Sequence, residues 1–308
     1  MRILITGASG LLGLNLALEI AAHHKVYGTA KDHLIHTDAF EVLHSDLLAA
    51  GAVEQVLDRT QPDWVIHCAA QANLEACEAD PVLARKLNTD LPAKLAAYVA
   101  RGGARLVHIS TDAVFDGQRG GYSEEDAPNP LSVYARTKLD GERAVADANP
   151  EAIITRVNLI GWSITGKRSL AEFFYNHLSA GKRVMGFTDV YFCPLLANDM
   201  APILVRMLEM KLSGMYHVVS RECLSKYDFG VRLANRFGLD ASLITPVSVQ
   251  QGGLKAARSP NLTLHSDKLA RAIGEPTPDV SSGLEHFYQL YQRGYPERIQ
   301  RLAASSTA

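Results

Sequence analysis

Through the first half of the chain, short unbroken apolar runs alternate with longer amphipathic stretches. Ile3–Thr6, Val26–Ala30, Trp64–Ala69, Arg105–Ser110 and Ile153–Val157 read as strands. Leu11–Ala22, Gly51–Arg59, Pro81–Arg101 and Tyr134–Ala148 read as the helices between them. Strands that are apolar throughout, rather than at alternate positions, are buried on both faces. With a helix after each, they predict an α/β fold with a doubly wound parallel (Rossmann) sheet. Ligands of such sheets bind outside the carboxyl ends of the strands.

The pattern loosens in the second half. Leu170–Leu178, Asn198–Glu209, Tyr227–Phe237 and Ser282–Tyr291 look helical, Met215–Ser220 looks like a strand, and turn-rich segments such as 250–260 separate them. The expected organisation is a dinucleotide-binding domain over 1–160 and a smaller mixed substrate-binding domain over 161–308. The strand near 215–220 is a candidate to return to the main sheet.

Gly7-Ala8-Ser9-Gly10-Leu11-Leu12-Gly13 directly follows the first strand and opens the first helix. Glycine allows the tight turn and lets the backbone approach a pyrophosphate, while the helix N-terminus offers free N–H groups and a favourable dipole. In that strand–loop–helix context Gly7, Gly10, Leu11, Leu12 and Gly13 are candidate dinucleotide contacts. At the end of the second strand an acid would hold the adenosine 2′-hydroxyl of NAD, and a base would suit a 2′-phosphate. Ala30 stands at the acid's usual place and Lys31 follows, which favours NADP(H); Asp32 keeps NAD(H) open. Asp46, Leu47, Ala69 and Ala70 fall at strand ends where adenine and ribose would pass.

Tyr134 and Lys138 are four residues apart and share a helix face. A ketone reduced by hydride needs a proton on oxygen, and a cation beside a phenol makes the phenol a better acid. Such pentads arise by chance. Here, however, a strand ending in Ser110-Thr111 lies upstream, and its hydroxyl would point into the crevice to align a carbonyl with Tyr134. Thr111, Tyr134 and Lys138 are therefore the candidate catalytic residues.

The chain resembles an extended short-chain dehydrogenase/reductase and is most similar to the dTDP-4-dehydrorhamnose reductase family. The resemblance rests on ILITGASGLLG, HCAAQANLEACEADP leading to Asn88, ISTDAVFDG, and PNPLSVYARTKLDGE through Glu142. It implies Thr111, Tyr134 and Lys138 as the triad, and cofactor contacts from Gly7, Gly10, Leu11, Leu12, Asp46, Leu47, Ala69 and Asn88. Asn88 reads equally as a buried brace for its neighbouring loop. The sequence departs from the family at three pocket positions. Ala113 replaces a Tyr, a Trp aligns near Leu159, and a Thr aligns with Ala72. Arg258 is a candidate for a substrate phosphate or an ordinary surface arginine.

The resemblance implies reduction of a keto sugar, nucleotide-linked in that family. Two alternatives stay open. One is an epimerase or dehydratase of the same fold, although the acidic pair of dehydratases is absent after Thr111. The other is a non-catalytic role like that of the regulatory subunit of methionine adenosyltransferase.

Composition narrows the partners further. The 308 residues are 47% apolar and 21% charged, with a formal charge of −2. Without a long basic run, binding to nucleic acid or an anionic membrane is not expected. No apolar stretch reaches the roughly 20 residues of a membrane span, and no secretory leader is seen. A cytoplasmic enzyme is expected, with a homodimer open. Cys68, Cys77, Cys193 and Cys223 show no metal spacing and are expected to be reduced thiols. His23 and His24 at a helix end are not read as metal ligands.

Overall fold

The computed structural model describes residues 1–32, 35–251 and 259–304. Its main sheet contains β1 (Arg2–Thr6), β2 (Lys25–Ala30), β3 (Glu41–His44), β4 (Trp64–His67), β5 (Arg105–Thr111), β6 (Ile153–Val157) and a last strand, Gly214–Val218. All seven are parallel, and Gly214–Val218 lies on the far edge beside β6, followed by β5, β4, β1, β2 and β3. Strand order reverses between β1 and β4, which opens the crevice expected of a doubly wound sheet.

Helices cover both faces. On one side α1 (Leu11–Ile20) and the helix Ala197–Glu209 bury Leu14, Leu16, Met200 and Leu204 completely. On the other, α2 (Ala52–Thr60), α5 (Leu91–Gly102) and α6 (Val133–Ala148) enclose Val65, Leu95 and Leu106. The chain beyond β6 therefore contributes both a helix and a strand to the main layer.

Three sequence expectations are corrected. First, the strand ahead of Asp46, to which the apolar pattern gives no bounds, is β3, with only Val42 and Leu43 as apolar residues. Second, beyond the short α3 (Leu74–Ala79), the single helix over 81–101 is α4 (Pro81–Arg85), a π-helical turn over Lys86–Asp90, and then α5. Pro92 lacks the N–H that would bond the Asn88 carbonyl and its ring crowds that carbonyl, so the ladder slips by one residue. The Asn88 carbonyl turns toward α6, where a Cβ on Gly141 would sit 2.1 Å from it.

Third, Cys193 and Cys223 are not reduced thiols. Tyr191–Phe192 pairs antiparallel with Leu224–Ser225, matching Phe192 with Leu224, so the two cysteines face each other one step on. They form a disulfide with a Cα–Cα distance of 4.1 Å, and Cys68 and Cys77 remain free. No helix among the described residues is long and apolar enough to cross a membrane.

Candidate active site

The glycine loop packs as tightly as its composition requires. Gly7 has φ +70°, and a Cβ there would lie 2.8 Å from the Ala69 backbone. A Cβ on Gly13 would lie 2.3 Å from the Gly7 carbonyl oxygen. Gly10, the residue before α1, carries no side-chain cap. The first-turn N–H groups of α1, from Leu11 onward, have no acceptor within the helix. A cradle that excludes side chains and ends in uncapped N–H groups fits the pyrophosphate of a dinucleotide.

Lys31, at the end of β2, forms a 3.1 Å ion pair with Asp46, and both side chains are largely exposed. The Asp46 carboxylate also accepts from the Leu48 N–H, which with Lys31 holds it below the usual carboxylate range. Asp46 in turn raises Lys31. The proposed 2′-phosphate cation thus already has an acidic neighbour. Ala69 donates its N–H to Thr6 Oγ1 at 3.3 Å, while Ala70 is exposed just beyond. Leu47 is buried.

Asn88 sits in the π-helical turn, wholly buried. Its carboxamide accepts from the Gln71 N–H at 2.9 Å and donates to the Gln71 carbonyl and Thr137 Oγ1, both at 3.1 Å. It therefore braces the loop after β4 against α6.

Helix α6 begins where Ser132 Oγ accepts the Ala135 N–H, a cap that places Tyr134 in the first turn and Lys138 one turn later. Tyr134 is half-buried, and the Thr111 side chain from the end of β5 is hydrogen-bonded to it. Burial pushes the Tyr134 phenol up to about 12, with the Thr111 bond acting in the opposite direction. In this state burial, rather than the charge of Lys138, sets the phenol's acidity, so it holds its proton at neutral pH.

Lys138 is buried and donates to the Ile109 carbonyl at 2.6 Å. Burial pulls it down to about 8, and the Glu142 carboxylate offsets part of that. Next to Thr111, the Asp112 carboxyl is pushed up to about 6 by burial while accepting from Asn158 and Thr111.

A polar layer that the motifs do not announce supports this trio. Glu142, one turn beyond Lys138, takes a two-pronged bond from Arg156 of β6 and a 2.6 Å bond from Ser110 Oγ. Arg156 and Glu142 are about as buried as the core, at 4% and 3% exposure. A lone arginine inside an apolar strand is the signal available in the sequence, because buried charges are normally paired. Beside them His67 and His108 stack at 5.5 Å. Burial pushes His67 down to about 3 and His108 well below its usual value, so both are neutral near pH 7.

The substrate-pocket candidates are less closely organised. Ala72 is exposed, Ala113 donates its N–H to Thr111 Oγ1, and Leu159 lies in a two-residue strand paired with Leu195. The indole three residues past Leu159, Trp162, is stacked on Phe287 in the core. Arg258 lies outside the described residues. No group of three or more metal-ligating side chains is found among the described residues.

A doubly wound sheet, a tight glycine loop opening the first helix and a Thr/Tyr/Lys cluster at the carboxyl end of β5 define the short-chain dehydrogenase/reductase class. Within that class the chain belongs to a particular family. Residues 1–293 match the RmlD substrate binding domain family. A probable low-salt glycan biosynthesis reductase, Agl14, from Haloferax volcanii is 32% identical over 291 residues, covering 92% of this chain and 96% of that protein. Methionine adenosyltransferase 2 subunit beta from Rattus norvegicus is 31% identical, covering 90% of this chain and 84% of that one. The crystal structure of dTDP-4-dehydrorhamnose reductase from Bacillus anthracis in complex with NADP matches with a TM-score of 0.83 at 27% identity. That match covers 94% of this chain and 98% of the other.

Proposed function

We propose that the protein is a nicotinamide-dinucleotide-dependent reductase of a nucleotide-linked keto sugar, using NADP(H) in preference to NAD(H). The observation that carries this reading is the gathering of Thr111, Tyr134 and Lys138 at the end of β5, on the same carboxyl edge of the parallel sheet as the glycine loop after β1. The bound dinucleotide would supply hydride. Thr111 would hold the substrate carbonyl, and the protonated Tyr134 phenol would deliver a proton to its oxygen. Lys138 would bind the ribose and stabilise the resulting phenolate. Gly7, Gly10, Leu11, Leu12 and Gly13 would hold the pyrophosphate, and Asp46, Leu47, Ala69, Ala70 and Asn88 would shape the adenosine and ribose side. A 2′-phosphate would compete with Asp46 for Lys31. Ala72, Ala113 and Leu159 would line the sugar subsite with apolar surface, with Arg258 as the candidate phosphate contact. The reading keeps the cytoplasm as location and a homodimer as candidate assembly.

Two other readings compete. The similarity to methionine adenosyltransferase beta subunits favours a regulatory binding role, whereas the Thr/Tyr/Lys cluster favours chemistry. A dehydratase is disfavoured because Asp112 is followed by Ala113 and its carboxyl is engaged by Asn158.

The test is a panel of dTDP- and UDP-linked 4-keto sugars incubated with NADPH or NADH. Stoichiometric dinucleotide oxidation with one of them supports the reductase. Sugar conversion without net dinucleotide consumption would assign an epimerase or a dehydratase, which the mass of the product tells apart by the loss of water. Dinucleotide binding with no turnover across the panel would favour the regulatory role.

A further inference from the structure

A cation from outside the main sheet reaches the glycine loop. Arg168 Nη1 donates to the Ser9 carbonyl at 3.1 Å, across 159 residues of sequence. Ser9 immediately precedes Gly10, the uncapped start of α1. The Arg168 side chain is exposed, and the Ser9 carbonyl is its only side-chain partner among the described residues. A guanidinium has five N–H donors, so most of its donors are left for another acceptor.

The backbone carrying Arg168 is fixed at two points. Glu172, fully buried, accepts the N–H groups of Ser163 at 2.6 Å, Arg168 at 2.8 Å and Ser169 at 3.1 Å. That draws the 163–169 segment tight onto the start of α7 (Leu170–Ser179). Just upstream, Asn15 of α1 donates to the Trp162 carbonyl at 2.9 Å and to the Leu11 carbonyl at 2.7 Å. The same helix whose N-terminus forms the anion cradle thus anchors the segment that presents the arginine. Lys31, by contrast, is paired with Asp46.

We propose that Arg168 is a cofactor-binding residue whose guanidinium clamps the dinucleotide's pyrophosphate at the N-terminus of α1. This rests on the dinucleotide reading above. It adds a formal charge to a cradle otherwise made of backbone dipoles, and the planar fork matches phosphate oxygens. The pyrophosphate is common to NADPH, NADH and ADP-ribose, so the clamp acts on all three alike.

The test measures binding of NADPH, NADH and ADP-ribose by calorimetry to wild type, Arg168→Ala and Arg168→Lys, with the melting temperature of each free protein. Arg168→Ala should weaken all three ligands by a similar factor, roughly ten- to a hundredfold, the range for a hydrogen bond to a charged group. Arg168→Lys should fall between, and the free proteins should melt alike because the side chain is exposed. Unchanged affinities with a lower melting temperature would make Arg168 a structural pin and overturn the proposal. A loss confined to NADPH would overturn it in favour of a 2′-phosphate contact. A wild type that binds none of the three would defeat the dinucleotide reading itself, and the clamp with it.

Discussion

The two ends of the candidate dinucleotide site are built from different materials. At the glycine loop, the surface offered is mostly backbone: Gly7 and Gly13 leave no room for a Cβ, and α1 begins without a cap. At the carboxyl end of β5, side chains drawn out of water dominate: the half-buried Tyr134, the buried Lys138 and Asp112, and beneath them Glu142 and Arg156. A backbone cradle tolerates little change in shape yet carries no titratable group. A side-chain cluster holds charge out of water, and its energetics depend on pH and on each partner's presence.

That contrast can be broken most strongly at Tyr134. Tyr134→Phe keeps the ring and removes the proton, and turnover should drop by roughly two to four orders of magnitude with dinucleotide affinity little changed. Equal turnover in single-turnover assays would take the phenol out of the reaction.

Removing the carboxylate beneath the site acts on stability instead. Glu142→Gln leaves Arg156 buried without its anion, and denaturant unfolding should show a loss of about 3–5 kcal/mol. The double variant Glu142→Leu/Arg156→Met should recover much of that. A single variant as stable as wild type would show that the pair is not structurally coupled.

Lys138→Met should move stability the other way while abolishing turnover. Lys138 titrates near 8 when folded, against 10.5 for a lysine side chain free in water, so the folded protein binds fewer protons between those values. Burial of the cation therefore opposes folding fully below about pH 8, and this opposition fades as pH rises toward 10.5. The variant should gain about 3 kcal/mol at pH 7, and the gain should vanish at high pH. A pH-independent difference would contradict the buried-cation account.

The smallest effect is expected at the exposed rim. Lys31→Ala should weaken NADPH by only severalfold and spare NADH, since an exposed pair such as Lys31–Asp46 contributes little. Matching losses for both dinucleotides would remove Lys31 from the 2′-phosphate contact.

The same division explains what the sequence made legible. β1, β2, β4, β5 and β6 were readable because central parallel strands are apolar on both faces, and the glycines because their spacing follows the turn itself. β3 is an edge strand with only two apolar residues, so its pattern is weak. The break in the long helix was written at Pro92, but its slip into a π turn depends on Gly141 making room on α6. Thr111, Tyr134 and Lys138 were visible as a motif because each sits at a defined place on one element. The contacts of Arg156 with Glu142, on different elements, and of Arg168 with Ser9, 159 residues away, leave no periodic spacing to read. The disulfide was hidden for the same reason, since only the register of two short strands brings Cys193 to Cys223.

The central claim is that a proton from Tyr134 completes a dinucleotide-dependent reduction. Its most direct test follows nicotinamide absorbance in a single turnover of wild type and Tyr134→Phe, both loaded with NADPH and presented with the keto sugar that the panel identifies. The account predicts one dinucleotide oxidised per sugar reduced by wild type, and no oxidation by the variant on that timescale despite normal NADPH binding. Oxidation at the same rate in both proteins would contradict it.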